Sequence, residues 1–182
     1  MRLFVAISFN EFSDYFKKLQ EQLPKAKHTF PKEFHITLKF LGEADEKKAE
    51  KIKEKLSELK FNEFECEING IGYFSEKFLR TVFVNITDSG KIAELQKQID
   101  SKLKDFFEKE KNFEAHITIA RVKFVENKMD YIENLKKIKT EKSIKKVNSF
   151  ELMKSTLTPE GPVYEVLGKF VAVKKELQNS VL

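Results

Sequence analysis

Phe34-His35-Ile36-Thr37-Leu38-Lys39-Phe40-Leu41 is echoed once downstream, as Ala115-His116-Ile117-Thr118-Ile119-Ala120-Arg121. Side chains on an extended strand alternate between its two faces. His35, Thr37 and Lys39 therefore share one face, and Ile36, Leu38 and Phe40 anchor the other. The echo sets His116 and Thr118 opposite Ile117 and Ile119. Each copy reads as a strand that buries an apolar face and shows a histidine and a hydroxyl two residues apart on its other face. A core strand has no need of that pair, and two such strands point to one shared site.

Outward from these strands the chain repeats an order: strand, helix, His-x-Thr strand, helix. In the first half Arg2 to Phe9 is β-branched and aromatic and reads as a strand. Asn10 is placed to cap a helix whose apolar positions are Phe12, Phe16, Leu19 and Leu23. Lys25 to Thr29 reads as a basic connector. After Gly42, Asp45 is a good N-cap for a helix with the stripe Ala49, Ile52, Leu56 and Leu59. In the second half a strand from Glu63 to Asn69 closes at Gly70 and Gly72, and a second runs from Arg80 to Ile86. Ser89-Gly90 opens a helix bearing Ile92, Leu95, Ile99, Leu103 and Phe106. A shorter stripe, Ile132, Leu135 and Ile138, follows the second histidine strand. Lys139 to Lys146 reads as a flexible basic connector. Strands around Val147–Leu157 and Tyr164–Val173 flank a Thr158-Pro159-Glu160-Gly161-Pro162 turn, with a loose tail after them. The pattern is that of an internal duplication. No low-complexity linker separates the halves, so 1–182 is expected to form a single compact domain of two intertwined lobes.

Composition narrows the function. Hydrophobic residues make up 41% of the 182, Phe alone contributing 18, which is enough for a sizeable core. Lys and Arg total 34 against 29 Asp and Glu, a net charge of +5 that suits a polyanionic ligand without demanding one. The single Cys66 excludes an intrachain disulfide and a cysteine-cluster metal site, and fits a reducing cytoplasm. The apolar run Leu3 to Ile7 is too short for a signal-peptide core, and no segment reaches membrane-spanning length. A cytoplasmic monomer without membrane contact is the expectation.

Only three histidines are present. His28, in the basic connector, needs no role beyond structure. His35 and His116 occupy equivalent places, and His-x-Thr offers one good metal ligand per strand with no carboxylate or thiol beside it. Two histidines with no metal and no cofactor suit acid–base chemistry, since imidazole titrates near pH 6.5. In-line displacement at phosphorus requires such a pair on opposite sides of the phosphate. Thr37 and Thr118 can donate hydrogen bonds to the non-bridging oxygens as charge shifts onto them.

The strings His35–Glu43 (HITLKFLGE), His116–Arg121 (HITIAR) and Ser155–Gly161 (STLTPEG) resemble the 2H phosphoesterase superfamily, and within it the RNA 2′,3′-cyclic phosphodiesterase branch, also called 2′-5′ RNA ligase. The resemblance implies an α+β, bilobal fold: duplicated βαβ-type lobes related by a pseudo-two-fold axis, with antiparallel sheets around a central groove. It implies hydrolysis of RNA or nucleotide 2′,3′-cyclic phosphate to a 2′-phosphate without metal, with His35 as proton donor and His116 as proton acceptor. It implies phosphate or substrate binding by Thr37, Thr118 and Arg121. Simple alternation sets Arg121 on the face opposite His116, so that role requires a bulge, a twist or a strand end. RNA ends, tRNA fragments among them, are the implied partners. The alternatives are a ligase joining tRNA halves through a 2′-5′ bond and a non-catalytic RNA-binding module. Two positions depart from the family pattern: Ala115 stands where relatives carry Pro, and Phe30 where they carry Trp. Phe30 keeps an aromatic surface. Lys39, on the His35 face, would add positive charge to the groove.

Overall fold

The computed structural model describes residues 1–173. The chain begins with β1 (Arg2–Ser8), a 3-10 turn (Asn10–Phe12) and α1 (Ser13–Glu21), then β2 (Lys27–Thr29), β3 (His35–Glu43) and α2 (Glu46–Ser57). It continues with β4 (Phe64–Tyr73), β5 (Thr81–Thr87), α3 (Lys91–Lys102), β6 (His116–Phe124) and α4 (Lys128–Leu135), and closes with β7 (Ser143–Val147), β8 (Ser149–Thr158) and β9 (Gly161–Val171).

The strands form two antiparallel sheets, ordered β3-β1-β8-β9 and β2-β6-β5-β4-β7. Setting β3 against β6 superposes the two orders strand for strand, with β2 as an extra edge on β6. The halves exchange strands to achieve this. β8 and β9, from the end of the chain, complete the sheet that β1 begins. The helices are exchanged too: α1 packs on β6, and α3 on β3.

The helical stripes lie where the periodicity sets them. Phe16 and Leu19 on α1, Ile52 and Leu56 on α2, Ile92, Leu95 and Ile99 on α3, and Ile132 and Leu135 on α4 are buried in one continuous cluster with Val5, Ile36, Val84 and Ile117 of the sheets. Burying each Leu or Ile stabilises the fold by about 1.5–3 kcal/mol. Asp45 caps α2 by accepting the Lys48 N–H at 2.7 Å. Cys66 is a buried strand residue, its thiol pushed up to about 12 by burial.

Local readings that differ have identifiable causes. Asn10 does not cap a helix: its Oδ1 accepts the Phe34 N–H at 2.7 Å, tying the start of α1 to the residue before His35. β4 does not stop at its glycines, because a register shift between Ile68 and Ile71 absorbs Gly70 at φ +74 and the strand runs on. Ser89-Gly90 does precede α3, but the first turn is closed by Asp88, whose carboxylate accepts the Gly90 and Ile92 amides, and α3 ends before Leu103 and Phe106. Part of the supposed connector Lys139–Lys146 is β7, an edge strand on β4. There Lys146 and Lys142 pair with Glu63 and Glu67, the charges of one segment complementing the other's. The C-terminal tail lies outside the described residues.

Candidate active site

β3 and β6 each carry a β-bulge at the same place. Opposite β3, Val5 pairs with Lys39 and Ala6 with Thr37, leaving Leu38 as the extra residue. Opposite β6, Val82 pairs with Ala120 and Phe83 with Thr118, leaving Ile119 extra. A bulge sets two successive side chains toward one side and shifts the alternation beyond it. Arg121 is thereby brought to the face of His116 and Thr118, where it lines the groove and donates from Nη1 to Thr81 Oγ1 at 3.1 Å. The same device overturns two expectations for β3. The Lys39 side chain is buried, its ammonium on Asp100, and Phe40, taken as a core anchor, is 67% exposed and lines the groove.

His35, Thr37, His116, Thr118 and Arg121 converge on a groove of about 780 Å³ between the two sheets. His35 is set by its neighbours on the chain: the Phe9 N–H donates to the Phe34 carbonyl at 2.7 Å, and the Phe34 ring is buried 4.9 Å from Phe16. Its imidazole is packed by Phe4 at 5.1 Å and met edge-on by Tyr164 at 5.3 Å. This burial, followed by the positive charges of His116 and Arg121, pushes His35 down to about 4. The two histidines are thus close enough for the charge of one to oppose protonation of the other.

His116 sits in a similar cage, with Phe74 edge-on at 4.8 Å and Phe83 at 5.3 Å. Gly72 makes room for that cage, since a Cβ there would come within 2.6 Å of the Phe83 ring. His116 Nδ1 lies 2.8 Å from the Glu114 carbonyl oxygen, which can only accept, so Nδ1 carries the proton and Nε2 keeps the lone pair. Burial lowers His116 below the ordinary imidazole value, and the Glu114 carbonyl offsets part of that.

Each histidine's approach loop is braced from the opposite half. The Lys39 ammonium, turned inward by the bulge, binds Asp100 Oδ1 at 2.5 Å and the Glu108 carbonyl at 2.7 Å. Asp100 Oδ2 accepts from Gln96 Nε2 at 2.8 Å and from the Glu110 amide at 3.0 Å. Burial alone would raise the Asp100 carboxyl, but these donors hold it below the usual carboxylate range. The loop leading to His116 is therefore pinned to the strand of His35. Reciprocally, Gln20 Nε2 on α1 donates to the Ile119 carbonyl at 2.9 Å and the Pro31 carbonyl at 3.2 Å, tying the loop before His35 to the bulge after His116.

His28 is not in the groove set. Its Nε2 lies 2.8 Å from the Tyr131 hydroxyl, which burial pushes up to about 12. Phe30 does line the groove and is 45% exposed. The sequence reading missed Phe4, Phe74, Phe83, Tyr164 and the Glu114 carbonyl. Only Tyr164 carried a signal, as the lone tyrosine of a strand following the STLTPEG string. Among the described residues no group of three or more His, Cys, Asp and Glu side chains is arranged to hold a metal ion, and no helix is long and apolar enough to cross a membrane.

Comparison with known proteins identifies the family. Residues 10–155 match the model of the 2′-5′ RNA ligase superfamily. The chain is 37% identical to an RNA 2′,3′-cyclic phosphodiesterase of Methanocaldococcus jannaschii, over 92% of this chain and 98% of the relative. It is 34% identical to the Archaeoglobus fulgidus protein of the same name, over 93% and 99%. A solved structure from Thermus thermophilus superposes with a TM-score of 0.75 at 26% identity, covering 97% of this chain and 100% of that one. With its two matched antiparallel sheets and its paired His-x-Thr strands, the chain belongs to the 2′-5′ RNA ligase superfamily, the 2H phosphoesterases.

Proposed function

We propose that this protein is an RNA 2′,3′-cyclic phosphodiesterase that opens the cyclic phosphate at an RNA or nucleotide end to leave a 2′-phosphate. The observation that carries this reading is the pairing of two imidazoles, each caged by aromatic rings, on equivalent strands of one groove. Residues 1–182 act as one unit in it, since each half braces the other's histidine loop.

One histidine takes a proton from water as the water oxygen attacks phosphorus. The bond from phosphorus to the 3′ oxygen breaks, and the second histidine protonates that oxygen. Thr37 and Thr118, on the groove faces of the two strands, donate to the non-bridging oxygens. Arg121 supplies the positive charge that favours their developing charge. No step calls on a metal. His116 is built as the acceptor, because Glu114 holds its proton on Nδ1 and leaves Nε2 free. His35 is then the donor. In the free groove burial keeps it neutral, so its proton arrives with the anionic phosphate, whose charge favours imidazolium.

One observation favours the exchanged roles: His35 is pushed down to about 4, which makes it the better candidate for the unprotonated partner. A substrate with sulfur in place of the 3′ oxygen separates the two readings, because a thiolate leaves without a proton. Loss of the donor then matters little. With this substrate His35→Ala is expected to regain most of its lost rate while His116→Ala does not. The reverse pattern exchanges the roles.

A further inference from the structure

Beside the reaction groove lies a second depression, of about 730 Å³, formed by the end of β6, the segment before β5 and the start of α4. Its walls carry Lys77, Arg80, Arg121, Lys123 and Lys128 and no carboxylate. None of these five cations forms a salt bridge among the described residues. The reaction groove, by contrast, has Glu33, Glu110, Glu114 and Glu160 in its lining. Two large rings stand out of the same depression: Phe78 is 61% exposed and Phe124 is 65% exposed. Its floor is fixed, since the Val122 N–H donates to the Arg80 carbonyl at 3.0 Å and Lys128 Nζ donates to the Lys77 carbonyl at 3.2 Å. Arg121 belongs to both walls, so the two depressions adjoin at it.

Unpaired cations left side by side repel one another, and exposed phenylalanines cost solvation free energy. Together they match a chain that offers an anion and a flat π-face at each step, which is single-stranded nucleic acid. We infer that this trough binds the RNA strand immediately 5′ of the reacting end, with phosphates against Lys77, Arg80, Lys123 and Lys128 and bases on Phe78 and Phe124. The cyclic phosphate closes the 3′ terminus, so the remaining strand has one direction in which to leave the groove. The depression past Arg121 offers it a course lined by cations and by no carboxylate. The inference rests on the phosphodiesterase reading and names its preferred substrate: an oligonucleotide end rather than a free cyclic nucleotide.

The test compares turnover of a 2′,3′-cyclic mononucleotide with that of a short single-stranded RNA ending in the same nucleotide, across a range of salt. The RNA is expected to have a KM about tenfold lower or better at low salt, the scale of one stacked base. That advantage should fade as salt rises. Lys123→Ala and Lys128→Ala should each raise KM for the RNA and lower its salt slope by about 0.7, the share of one phosphate contact. Phe124→Ala should raise KM for the RNA without changing the slope. All three variants should leave mononucleotide turnover unchanged. Equal KM for the two substrates, or an RNA KM indifferent to all three substitutions, overturns the trough. If neither substrate is turned over, the phosphodiesterase reading fails instead. The trough is then judged by fluorescence anisotropy of an RNA ending in 2′-phosphate, where binding unaffected by Lys123→Ala and Lys128→Ala overturns it.

Discussion

Residue for residue, β3 and β6 alternate between burial and exposure in the same sequence, and both bulge after the threonine. They differ in what stands beyond the bulge. Buried Lys39 matches buried Ala120, and exposed Phe40 matches Arg121. In the proposed mechanism the histidine and the threonine, present in both strands, serve twice, once on each side of phosphorus. The positions that differ are used once: one cation toward the substrate, one inward pin on the neighbouring loop. A duplicated fold thus supplies a symmetric pair of histidines and an asymmetric surround, which in the proposed mechanism separates their roles.

Removing either histidine should break the comparison most severely. His35→Ala and His116→Ala are each expected to lower kcat by about a hundred- to ten-thousandfold. The double variant should lose little more than the worse single one, because the pair acts as a unit. Additive losses would mean that the two work independently.

The asymmetric pin comes next. Lys39→Met leaves Asp100 buried without its cation, and denaturant melts should show a loss of about 3–5 kcal/mol. Lys39→Met combined with Asp100→Asn should recover part of it. A loss no larger than that of an exposed lysine would show that the loop before His116 is held by other contacts.

The pH dependence probes the shared environment of the two rings. Burial depresses both imidazoles, so in the free protein the base takes a proton only as pH falls below about 6.5, the ordinary imidazole value, and the acid has lost its own before pH rises past it. Both limbs of the kcat/KM profile should therefore lie below that value, the limb that His35 sets falling toward pH 4. The kcat profile should lie at higher pH, because bound phosphate favours the charged ring. An alkaline limb of kcat/KM above about 6.5 would contradict the desolvation account.

The smallest effect separates two readings of a single ring. Phe40→Ala should cost under about 1 kcal/mol, as for an exposed residue, whereas Leu41→Ala beside it should cost about 2–5 kcal/mol. A core-sized loss at Phe40 would restore strict alternation in β3.

That ring also marks where sequence alone stops. The histidines and threonines were legible because their type, spacing and duplication coincide, and helical stripes were legible because burial imposes their period. Strict alternation holds only up to the bulge, and nothing in Leu38-Lys39 announces one. Lys39 and Phe40 were therefore assigned to the wrong faces, while Arg121 was correctly seen to need such a device. β7 was read as a connector because its lysines are matched by glutamates far away in the chain. The aromatic cages stayed invisible because Phe4, Phe74 and Phe83 meet the histidines only after the sheets assemble.

The central claim is that His35 and His116 act as one acid–base pair on a cyclic phosphate. Phosphorus NMR of a 2′,3′-cyclic nucleotide incubated with the protein in excess chelator tests it most directly. The expected result is conversion of the cyclic phosphate resonance to that of the 2′-phosphate alone, with no conversion by His35→Ala or His116→Ala. An unchanged cyclic resonance, a 3′-phosphate product, or turnover that survives both substitutions would contradict it.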